Sequence, residues 1–482
     1  MSLVSTTFAI LVILALLIRY LVPKPYNRIG LLLLSYIFVY SYSAGSLVVL
    51  LLISCAGYIG QYQVEDPGKK SPKYTICIIF ILLLLLVYNY FGFFSRLIPS
   101  AGAAYSAFKA SPFGLFIPIG ISFYGLSVIG SIVDSKKGLY SEKDILTYFL
   151  FAGWFPQILS GPIARARDLC PALKDLSSFD YDNLRNGLIR FVSGVFIKYT
   201  LADVLSTAVL TQYDPKDVLI ATGSGLLFAT VFYTVQIYAD FVAYTWMVRG
   251  LSEMFGIMLN INFNAPYTSF SVREFWRRWH ISLSSWLREY VYFSLGGSRK
   301  GTLRTCINTL VVFFVSGLWH GASFNYIVWG LLHGLYISLE ILLSGPRKKL
   351  DEKYPKNVII KGFEWLITFC LVSFAWIFFR SESLNNAFYI ISKLADSISL
   401  SEIFSAGFFT RFQVSNIHWI VAAAAFLVLV VSDILQNLRE KDLPALIISA
   451  PLWARIVLCY LMVGSVLFWG AVGSSQFIYF QF

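Results

Sequence analysis

The feature that most constrains this chain is a series of long apolar runs that recurs along nearly its whole length. A transmembrane helix needs about 20 predominantly apolar residues, and several of these runs approach or reach that length. A soluble fold of this size cannot bury so many runs, so we expect lipid to solvate much of the chain. The runs lie near 8–22, 29–42, 44–60, 74–93, 113–131, 187–210, 218–239, 306–319, 323–343, 360–380, 416–433 and 455–478.

Composition supports the same interpretation. Hydrophobic residues make up 57% of the 482 residues and charged residues only 13%, about half the charged fraction of a typical soluble domain. The net charge of +12 would favour nucleic-acid binding in a soluble protein, but here the basic residues form short clusters between apolar runs. That pattern is typical of cytoplasmic loops under the positive-inside rule. We therefore expect the chain to associate with the lipid bilayer, and we expect no nucleic-acid partner.

The runs therefore predict an all-α, polytopic integral membrane protein with about 11 to 13 transmembrane helices around a central funnel. The run near 145–161 is broken by glycines and prolines and is expected to be re-entrant. The segment 240–305 is weakly apolar and rich in aromatic residues and arginine, which is typical of cytoplasmic amphipathic or partly buried helices. We expect 1–482 to form a single domain.

Charge also predicts an orientation, with the N-terminus outside. No basic segment precedes the first apolar run and no small-residue cleavage site follows it, so no cleavable signal peptide is expected. Basic clusters near 24–28, 69–73 and 136–143 then all fall on the cytoplasmic side. The basic segments 273–304 and 347–361 join them if 145–161 does not cross the membrane.

His320 is the residue that most directly indicates chemistry. It lies within an apolar run, in VVFFVSGLWHGASFNYIVWG (311–330), and ionisable groups at membrane depth are functional candidates by default. Desolvation keeps an imidazole neutral and able to accept a proton. The small neighbours Gly317 and Gly321 leave room for a substrate, or equally for a close helix crossing. The alternative for His320 is a hydrogen bond to a neighbouring helix.

His280 lies in a segment rich in arginine and tryptophan, SVREFWRRWHISLSSWLREYVYF (271–293). If this segment is one helix, i, i+3 and i+4 spacing places four polar residues on one face, Arg273, Arg277, His280 and Ser284. Guanidinium groups suit phosphates, so this face is a candidate site for the phosphates of a cytoplasmic nucleotide-bearing donor. The alternative is an interfacial helix anchored at lipid headgroups.

Four further residues are weaker candidates. Asp240, with Tyr244 one turn later, is placed to orient a histidine or an arginine, although a structural ion pair explains it equally well. Asn325 follows His320 by five residues and is a candidate for lining the same cavity. His333 is expected to make a structural hydrogen bond. His418 has no polar residues near it in the sequence and is not expected to have a functional role.

Several other chemistries find no support. The six cysteines are scattered and form no CxxC pair, so neither a disulfide framework nor a zinc site is expected. The sequence contains no GxxxxGKS/T phosphate loop, no HExxH zinc helix and no GxSxG elbow. An ATPase, a zinc protease and a serine hydrolase are therefore unsupported, and no metal is expected.

Six segments, taken in order, resemble the membrane-bound O-acyltransferase family. The resemblance is to the bacterial branch that includes the alginate and peptidoglycan O-acetylation proteins and the teichoic acid D-alanylation protein. It covers most of the chain, and the two histidine blocks together are its most specific part. The segments are IPIGISFY (117–124), WFPQILSGPIAR (154–165), ADFVAYTW (239–246), NFNAPYTSFSVREFWRRWHISLSSWLREYVY (262–292), GLWHGASFNYIVWGLLHG (317–334) and FIYFQF (477–482).

The resemblance implies acyl transfer across the bilayer, from a cytoplasmic thioester to an extracytoplasmic hydroxyl, inside a protein channel. The family's most invariant histidine matches His320 and its second histidine matches His280, which makes His320 the expected general base and His280 a residue that orients the thioester or the base. Acyl-CoA, specifically acetyl-CoA, is then the expected donor substrate, and no permanently bound cofactor is expected. Its phosphates are expected to be held by some of Arg273, Arg277, Arg278 and Arg288.

The resemblance further implies a location and partners. Relatives are multi-pass proteins of the bacterial cytoplasmic (inner) membrane, and they work with a separate extracytoplasmic SGNH-type esterase or transferase on a cell-surface polysaccharide. Two positions depart from the family pattern. Val242-Ala243 replaces a frequent Ser-Gly, which affects close packing or acceptor shape, and Glu289 replaces a frequent Asp.

Two other functions remain open on the sequence. The first is D-alanyl transfer to teichoic acids from a carrier-protein thioester, although the chain length and the FIYFQF ending look more like those of the acetylating members. The second is a non-enzymatic transporter, since membrane-depth histidines also occur in proton relays. Transporter folds often contain inverted repeats, and none is visible in this sequence.

Overall fold

The computed structural model describes residues 3–24, 26–62, 72–98, 101–111, 114, 116, 118–176, 179–214, 221–353, 357–472 and 477. Within these ranges the chain is helices and connecting turns without a strand, so the predicted all-α class is confirmed. The chain divides into two compact units, Met1–Leu188 with Val248–Asn260, and Ile189–Met247 with Ile261–Phe482. The expectation of one domain over 1–482 stays a prediction.

Side-chain caps and ion pairs fix the helix ends of the first unit. Ser5 accepts a hydrogen bond from the backbone N–H of Phe8 and begins the first helix. Asp144 caps a later helix and pairs with Arg28 at 2.7 Å, which ties two helices together. The helices are α1 (Thr6–Leu21), α2 (Tyr26–Tyr40), α3 (Ala44–Tyr62), α4 (Pro72–Leu97), α5 (Ala101–Ala110), α6 (Ile121–Lys136), α7 (Ile145–Gly153) and α8 (Ala166–Lys174).

The second unit contains most of the long helices. Two of its helices, α9 (Tyr181–Ile197) and α11 (Gly223–Met254), also contribute residues to the first unit. Short π-helical segments occur at Lys198–Ala202 and Arg288–Tyr292. The remaining helices are α10 (Asp203–Tyr213), α12 (Val272–Arg278), α13 (Ile281–Leu287), α14 (Thr302–His320), α15 (Phe324–Leu342), α16 (Ser344–Lys353), α17 (Val358–Arg380), α18 (Leu384–Asp396), α19 (Leu400–Ile403), α20 (Asn416–Arg439), α21 (Leu443–Ile448) and α22 (Leu452–Trp469).

Seven helices of the described ranges are long and apolar enough to cross a membrane, namely α3, α4, α11, α14, α17, α20 and α22. Most of the apolar window of α11 is buried, at 72%, whereas only 6% of that of α22 is buried. Lipid accounts for such outward apolar surface, because water does not solvate it favourably. The polytopic class is confirmed. The count of about 11 to 13 spans stays a prediction. Several predicted runs contain helices such as α6 and α9, which are shorter than the 18 residues required of a candidate span.

The run near 145–161 is interrupted as its glycines and prolines predict. The helix α7 ends at Gly153 after nine residues, and the buried Trp154 and Phe155 follow it. Nine helical residues rise only about 14 Å, less than half of a hydrocarbon core of about 30 Å. The helix α7 therefore does not span a membrane by itself, and a re-entrant path stays a prediction.

Glycines bring α14 and α15 into backbone contact in the second unit. A Cβ atom at Gly317 would lie 2.3 Å from the carbonyl oxygen of Tyr326, and one at Gly330 would lie 2.2 Å from that of Phe313. Real Cβ atoms do not approach an oxygen so closely, so only glycine fits both positions. The pair of helices forms a hairpin, and its turn directly follows His320.

Substitution of Gly330 by alanine is expected to force α14 and α15 apart. Overpacking of this kind costs about 1–3 kcal/mol of stability, and we expect a lower melting temperature in detergent. Gly362→Ala is the matched control, because a Cβ atom there meets nothing within 4 Å on α17. Equal melting temperatures for Gly330→Ala and Gly362→Ala would contradict the close contact.

Candidate active site

His320 is the last residue of α14 and lies in an aromatic enclosure. It is only 4% exposed. Its ring centroid lies 4.8 Å from that of Trp319, 5.0 Å from Trp329 and 5.1 Å from Phe379. The helix ends here because Gly321 follows with a φ of 155°, which L side chains rarely adopt. The imidazole is thus a polar group set among apolar rings.

His280 lies at a break between two short helices. The expectation of one helix through 271–293 is wrong, because α12 ends at Arg278 and α13 begins at Ile281. His280 itself has φ 43° and ψ 54°, in the left-handed region. A non-glycine residue in this region costs about 1–3 kcal/mol, so the surrounding structure must hold it there. The break turns the imidazole inward, where the residue is 1% exposed.

Asn262 holds the backbone that follows His280. The backbone carbonyl oxygen of Asn262 accepts a hydrogen bond from the backbone N–H of Ile281 at 2.9 Å. Its side-chain oxygen accepts one from the backbone N–H of Ser282 at 3.3 Å. Sequence reasoning missed this residue, since Asn262 lies in a loop eighteen positions before the histidine. Its place inside the segment 262–292, which resembles the family, was the available signal.

The imidazoles of His280 and His320 both contact the indole ring of Trp319. The ring of Trp319 lies 5.8 Å from that of His280 and 4.8 Å from that of His320, and Phe241 contacts His280 at 4.8 Å. His280 lies outside the candidate spans. Burial lowers its pKa well below the usual range, and the nearby His320 lowers that pKa further. A neutral imidazole offers one hydrogen-bond donor and one acceptor, which suits a residue that orients another group.

A cavity of about 700 Å³ runs along α14. This volume is within the usual range for pockets that bind small molecules and cofactors. Its wall carries a row of hydroxyl groups that starts near the beginning of α14. The lining residues include three arginines, several hydroxyl side chains and a number of apolar ones, among them Arg273, Arg277, Arg288, Ser284, Thr302, Thr305, Thr309, Ser316, Trp276, Phe313, Ile281 and Ile337.

The cavity lining includes chain neighbours of both histidines. Its lining includes Ile281, the residue after His280, and Ser316, one helical turn before His320. Neither imidazole belongs to the lining itself. Four of the residues singled out from the sequence do line it, and these are Arg273, Arg277, Ser284 and Arg288.

Arg278 lies apart from the three cavity arginines. A helix turns about 100° per residue, so Arg273 and Arg277 share a face of α12 that Arg278 does not. The Arg278 guanidinium donates to Glu274 at 2.7 Å and to Thr268 at 3.2 Å, and it also contacts Asn437. In this arrangement Arg278 stabilises the chain around α12, and it does not line the cavity.

Asp240 takes part in a buried ion cluster. Its carboxylate accepts a hydrogen bond from the ammonium of Lys198 at 2.7 Å, and Lys198 also pairs with Asp203 at 2.6 Å. All three are at most 2% exposed. The ammonium also lies 4.4 Å from the ring centroid of Phe477, which in turn packs against Tyr244. Lys198 was missed, although a charged residue within an apolar run is itself a signal.

Asn325 supports the turn between α14 and α15. Its side-chain amide donates to the carbonyl oxygen of Ser381, after α17, and Asn325 is 2% exposed. It therefore ties the turn beside His320 to a third helix. Asn325 does not belong to the lining of the 700 Å³ cavity.

The two remaining histidines differ from expectation in detail. His333 is fully buried against Trp276 and Trp329, at 5.1 and 5.3 Å between ring centroids. The hydrogen bond expected for it is wrong for the described ranges, where neither ring nitrogen of His333 has a partner. His418, for which no polar neighbour was expected, forms a hydrogen bond of 2.6 Å between its Nδ1 atom and the hydroxyl of Ser415 at the start of α20.

Replacing Lys198 by methionine is expected to destabilise the second unit strongly. The change removes the ammonium from between two buried carboxylates, and breaking a buried ion pair costs about 3–5 kcal/mol. Thermal unfolding in detergent measures this loss. Lys348→Met is the control, because its pair with Glu352 is exposed and 3.9 Å long and contributes about 0.5 kcal/mol or less. A melting temperature of Lys198→Met as high as that of the control would contradict the cluster's role.

Together these features define a helical, multi-pass membrane protein with two buried imidazoles and an arginine-lined cavity that includes Ile281, the residue after His280. The sequence model of the MBOAT, membrane-bound O-acyltransferase family matches residues 31–381, which include both histidines. The chain belongs to this family and is an O-acyltransferase. The predictions of the family and of the enzyme class are thereby confirmed, while the roles of individual residues stay predictions.

Relatives from three bacteria extend this assignment. The chain is 32% identical to a Pseudomonas putida protein named "Probable alginate O-acetylase AlgI", with 96% of each chain covered. It is 31% identical to the peptidoglycan O-acetyltransferase of Helicobacter pylori, over 76% of this chain and 75% of that one. It is 28% identical to the teichoic acid D-alanyltransferase of Bacillus subtilis, over 57% of this chain and 71% of that one.

Proposed function

We propose that this enzyme transfers an acetyl group from cytoplasmic acetyl-CoA to a hydroxyl group on the opposite side of a bacterial cytoplasmic membrane. The observation that carries the proposal is the course of the cavity. It extends along α14 from Thr302 to Ser316 and includes three arginines in its wall. Fourteen helical residues rise about 21 Å, most of the way through a hydrocarbon core of about 30 Å.

The arginines support a phosphate-bearing donor. Arg273, Arg277 and Arg288 are exposed residues that line one cavity, and guanidinium groups bind phosphate oxygens through paired hydrogen bonds. The hydroxyl groups of Thr305 and Thr309 donate to the carbonyl oxygens of Gly301 and Thr305, and their oxygens line the cavity as acceptors that suit the amide N–H groups of a pantetheine arm. Coenzyme A combines these two chemistries in one extended molecule.

The reaction places His320 as general base. His320 takes the proton of the acceptor hydroxyl while that oxygen attacks the thioester carbonyl carbon, so a carbon–oxygen bond forms. The carbon–sulfur bond then breaks, and the leaving thiolate takes the proton back from His320 as the thiol. His280 orients the thioester or the base. General base catalysis supplies about 10²–10⁴-fold, and alignment of the two substrates in a dry site adds the remainder.

The acceptor is a cell-surface polysaccharide or a partner protein that passes the acetyl group onward. The names of the relatives support a glycan, since they refer to alginate and to peptidoglycan. We propose that the partner is an extracytoplasmic SGNH-type acyltransferase or esterase. Cytoplasmic basic segments and an outside N-terminus complete the proposed orientation.

The alternative donor is a D-alanyl thioester on a carrier protein. The match to a teichoic acid D-alanyltransferase supports it, but that match covers only 57% of this chain. The acetylating relative from Pseudomonas putida covers 96%, which favours acetyl transfer. Proteoliposomes given labelled acetyl-CoA or labelled D-alanyl carrier protein distinguish the two donors. Membership in an acyltransferase family argues against the transporter alternative.

Replacing His320 by alanine is expected to reduce acetyl transfer at least about 100-fold, because the general base is lost. The measurement is the transfer of label from acetyl-CoA to alginate or peptidoglycan fragments loaded inside proteoliposomes. His418→Ala, a histidine at the exposed start of α20, is the matched control and should retain activity. Near-wild-type transfer by a monodisperse His320→Ala protein would remove the proposed role of His320.

Replacing Arg277 by glutamine is expected to raise KM for acetyl-CoA about tenfold and to leave kcat nearly unchanged. The variant loses a charged contact with phosphate that lies far from the reacting atoms. Arg299→Gln is the control, since Arg299 is exposed and does not line the cavity. The same KM for both variants would show that the cavity arginines do not bind the donor.

A further inference from the structure

Glu340 links two walls of the cavity. It lies on α15 between Ile337 and Ile341, and both of these isoleucines line the cavity. Its carboxylate reaches the beginning of α12, the short helix that carries Arg273 and Arg277. Local sequence does not single out Glu340, because the hydrogen bonds that it makes cross from one helix to another.

The hydrogen bonds of Glu340 are made to backbone groups. One carboxylate oxygen accepts from the N–H of Val272 at 2.7 Å, and the other accepts from the N–H of Arg273 at 3.1 Å. These are the first two N–H groups of α12, which have no acceptor within their own helix. A carboxylate at a helix N-terminus also interacts favourably with the helix dipole.

The next N–H group of α12 has a partner from its own segment. The hydroxyl of Ser271 accepts from the N–H of Glu274 at 3.1 Å, and the Glu274 carboxylate accepts from the N–H of Phe270 at 3.0 Å. This local capping arrangement leaves the N–H groups of Val272 and Arg273 to Glu340. Glu340 therefore does not duplicate the cap, and it joins the helix to α15.

This connection contributes to where the cavity arginines lie. The backbone N–H of Arg273 is itself one of the donors to Glu340, and Arg277 follows one turn later on the same face of α12. A seven-residue helix has little stability of its own, so its position depends on contacts with neighbouring elements. Without the carboxylate, the beginning of α12, which carries Arg273, loses its polar link to α15, while Trp276 still packs against His333.

We infer that Glu340 is a positioning residue for the donor site, which holds Arg273 and Arg277 where the phosphates of the donor bind. The inference rests on the proposed function and deepens it. It makes recognition of the donor phosphates depend on the contact between Glu340 and α12 as well as on the arginines themselves. Glu340 acts through backbone groups and does not itself touch the donor. Its loss affects the phosphate-bearing end of the donor and spares the chemical step.

The test compares two donors, acetyl-CoA and S-acetylpantetheine, which carries the same thioester and arm without the nucleotide phosphates. Glu340→Gln replaces one acceptor oxygen by an NH₂ group that faces backbone donors. We expect KM for acetyl-CoA to rise about tenfold, and KM for S-acetylpantetheine and both kcat values to change less than about twofold. Glu402→Gln is the matched control, because Glu402 is a partly buried carboxylate that accepts from Thr222 and Arg411 away from the cavity.

The outcomes separate this inference from the proposed function. An equal rise in both KM values would mean that Glu340 supports the fold alone, and an unchanged KM for acetyl-CoA would also overturn the inference. A wild-type enzyme that does not prefer acetyl-CoA over S-acetylpantetheine would contradict the donor site itself. Glu340→Asp keeps the charge on a shorter side chain. It provides a second test of the inference if the glutamine variant does not fold. We expect it to raise KM for acetyl-CoA alone, by a smaller factor.

Discussion

The backbone contact between α14 and α15 is the interaction on which the second unit depends. Gly317 and Gly330 let the two helices approach until carbonyl oxygens lie where side chains would otherwise be. This hairpin carries His320 at its turn, the row of cavity hydroxyls on one helix and Glu340 on the other. Lipid tails are as apolar as the helix surfaces, so close packing must supply much of the association energy.

The site separates two electrostatic environments. The cavity arginines are exposed, whereas His280 and His320 are at most 4% exposed and lie among aromatic rings. Charged groups are least costly where water reaches them, and a neutral base is best kept where water is excluded. The proposed donor is an extended molecule that matches both environments, with its charges at one end and its reactive carbonyl at the other.

Much of this arrangement follows from local sequence. Apolar runs predicted the long helices, and a histidine within such a run indicated His320 as a candidate site residue, because both signals depend on short stretches of chain. The break at His280 escaped prediction, since its left-handed backbone is held by Asn262 from a distant loop. The partners of Asp240 and the role of Glu340 were likewise hidden, because each depends on contacts between helices. Helical spacing already sets Arg278 on a different face from Arg273 and Arg277, and its contacts with Glu274 and Thr268 follow from the structure.

The indole of Trp319 touches both catalytic candidates, and this shared wall links their behaviour. A change that shifts the indole moves two imidazoles together, so the free energies of single substitutions at 280, 319 and 320 do not add. A double-mutant cycle across them measures how firmly the two rings are coupled, and it does not divide catalysis between them.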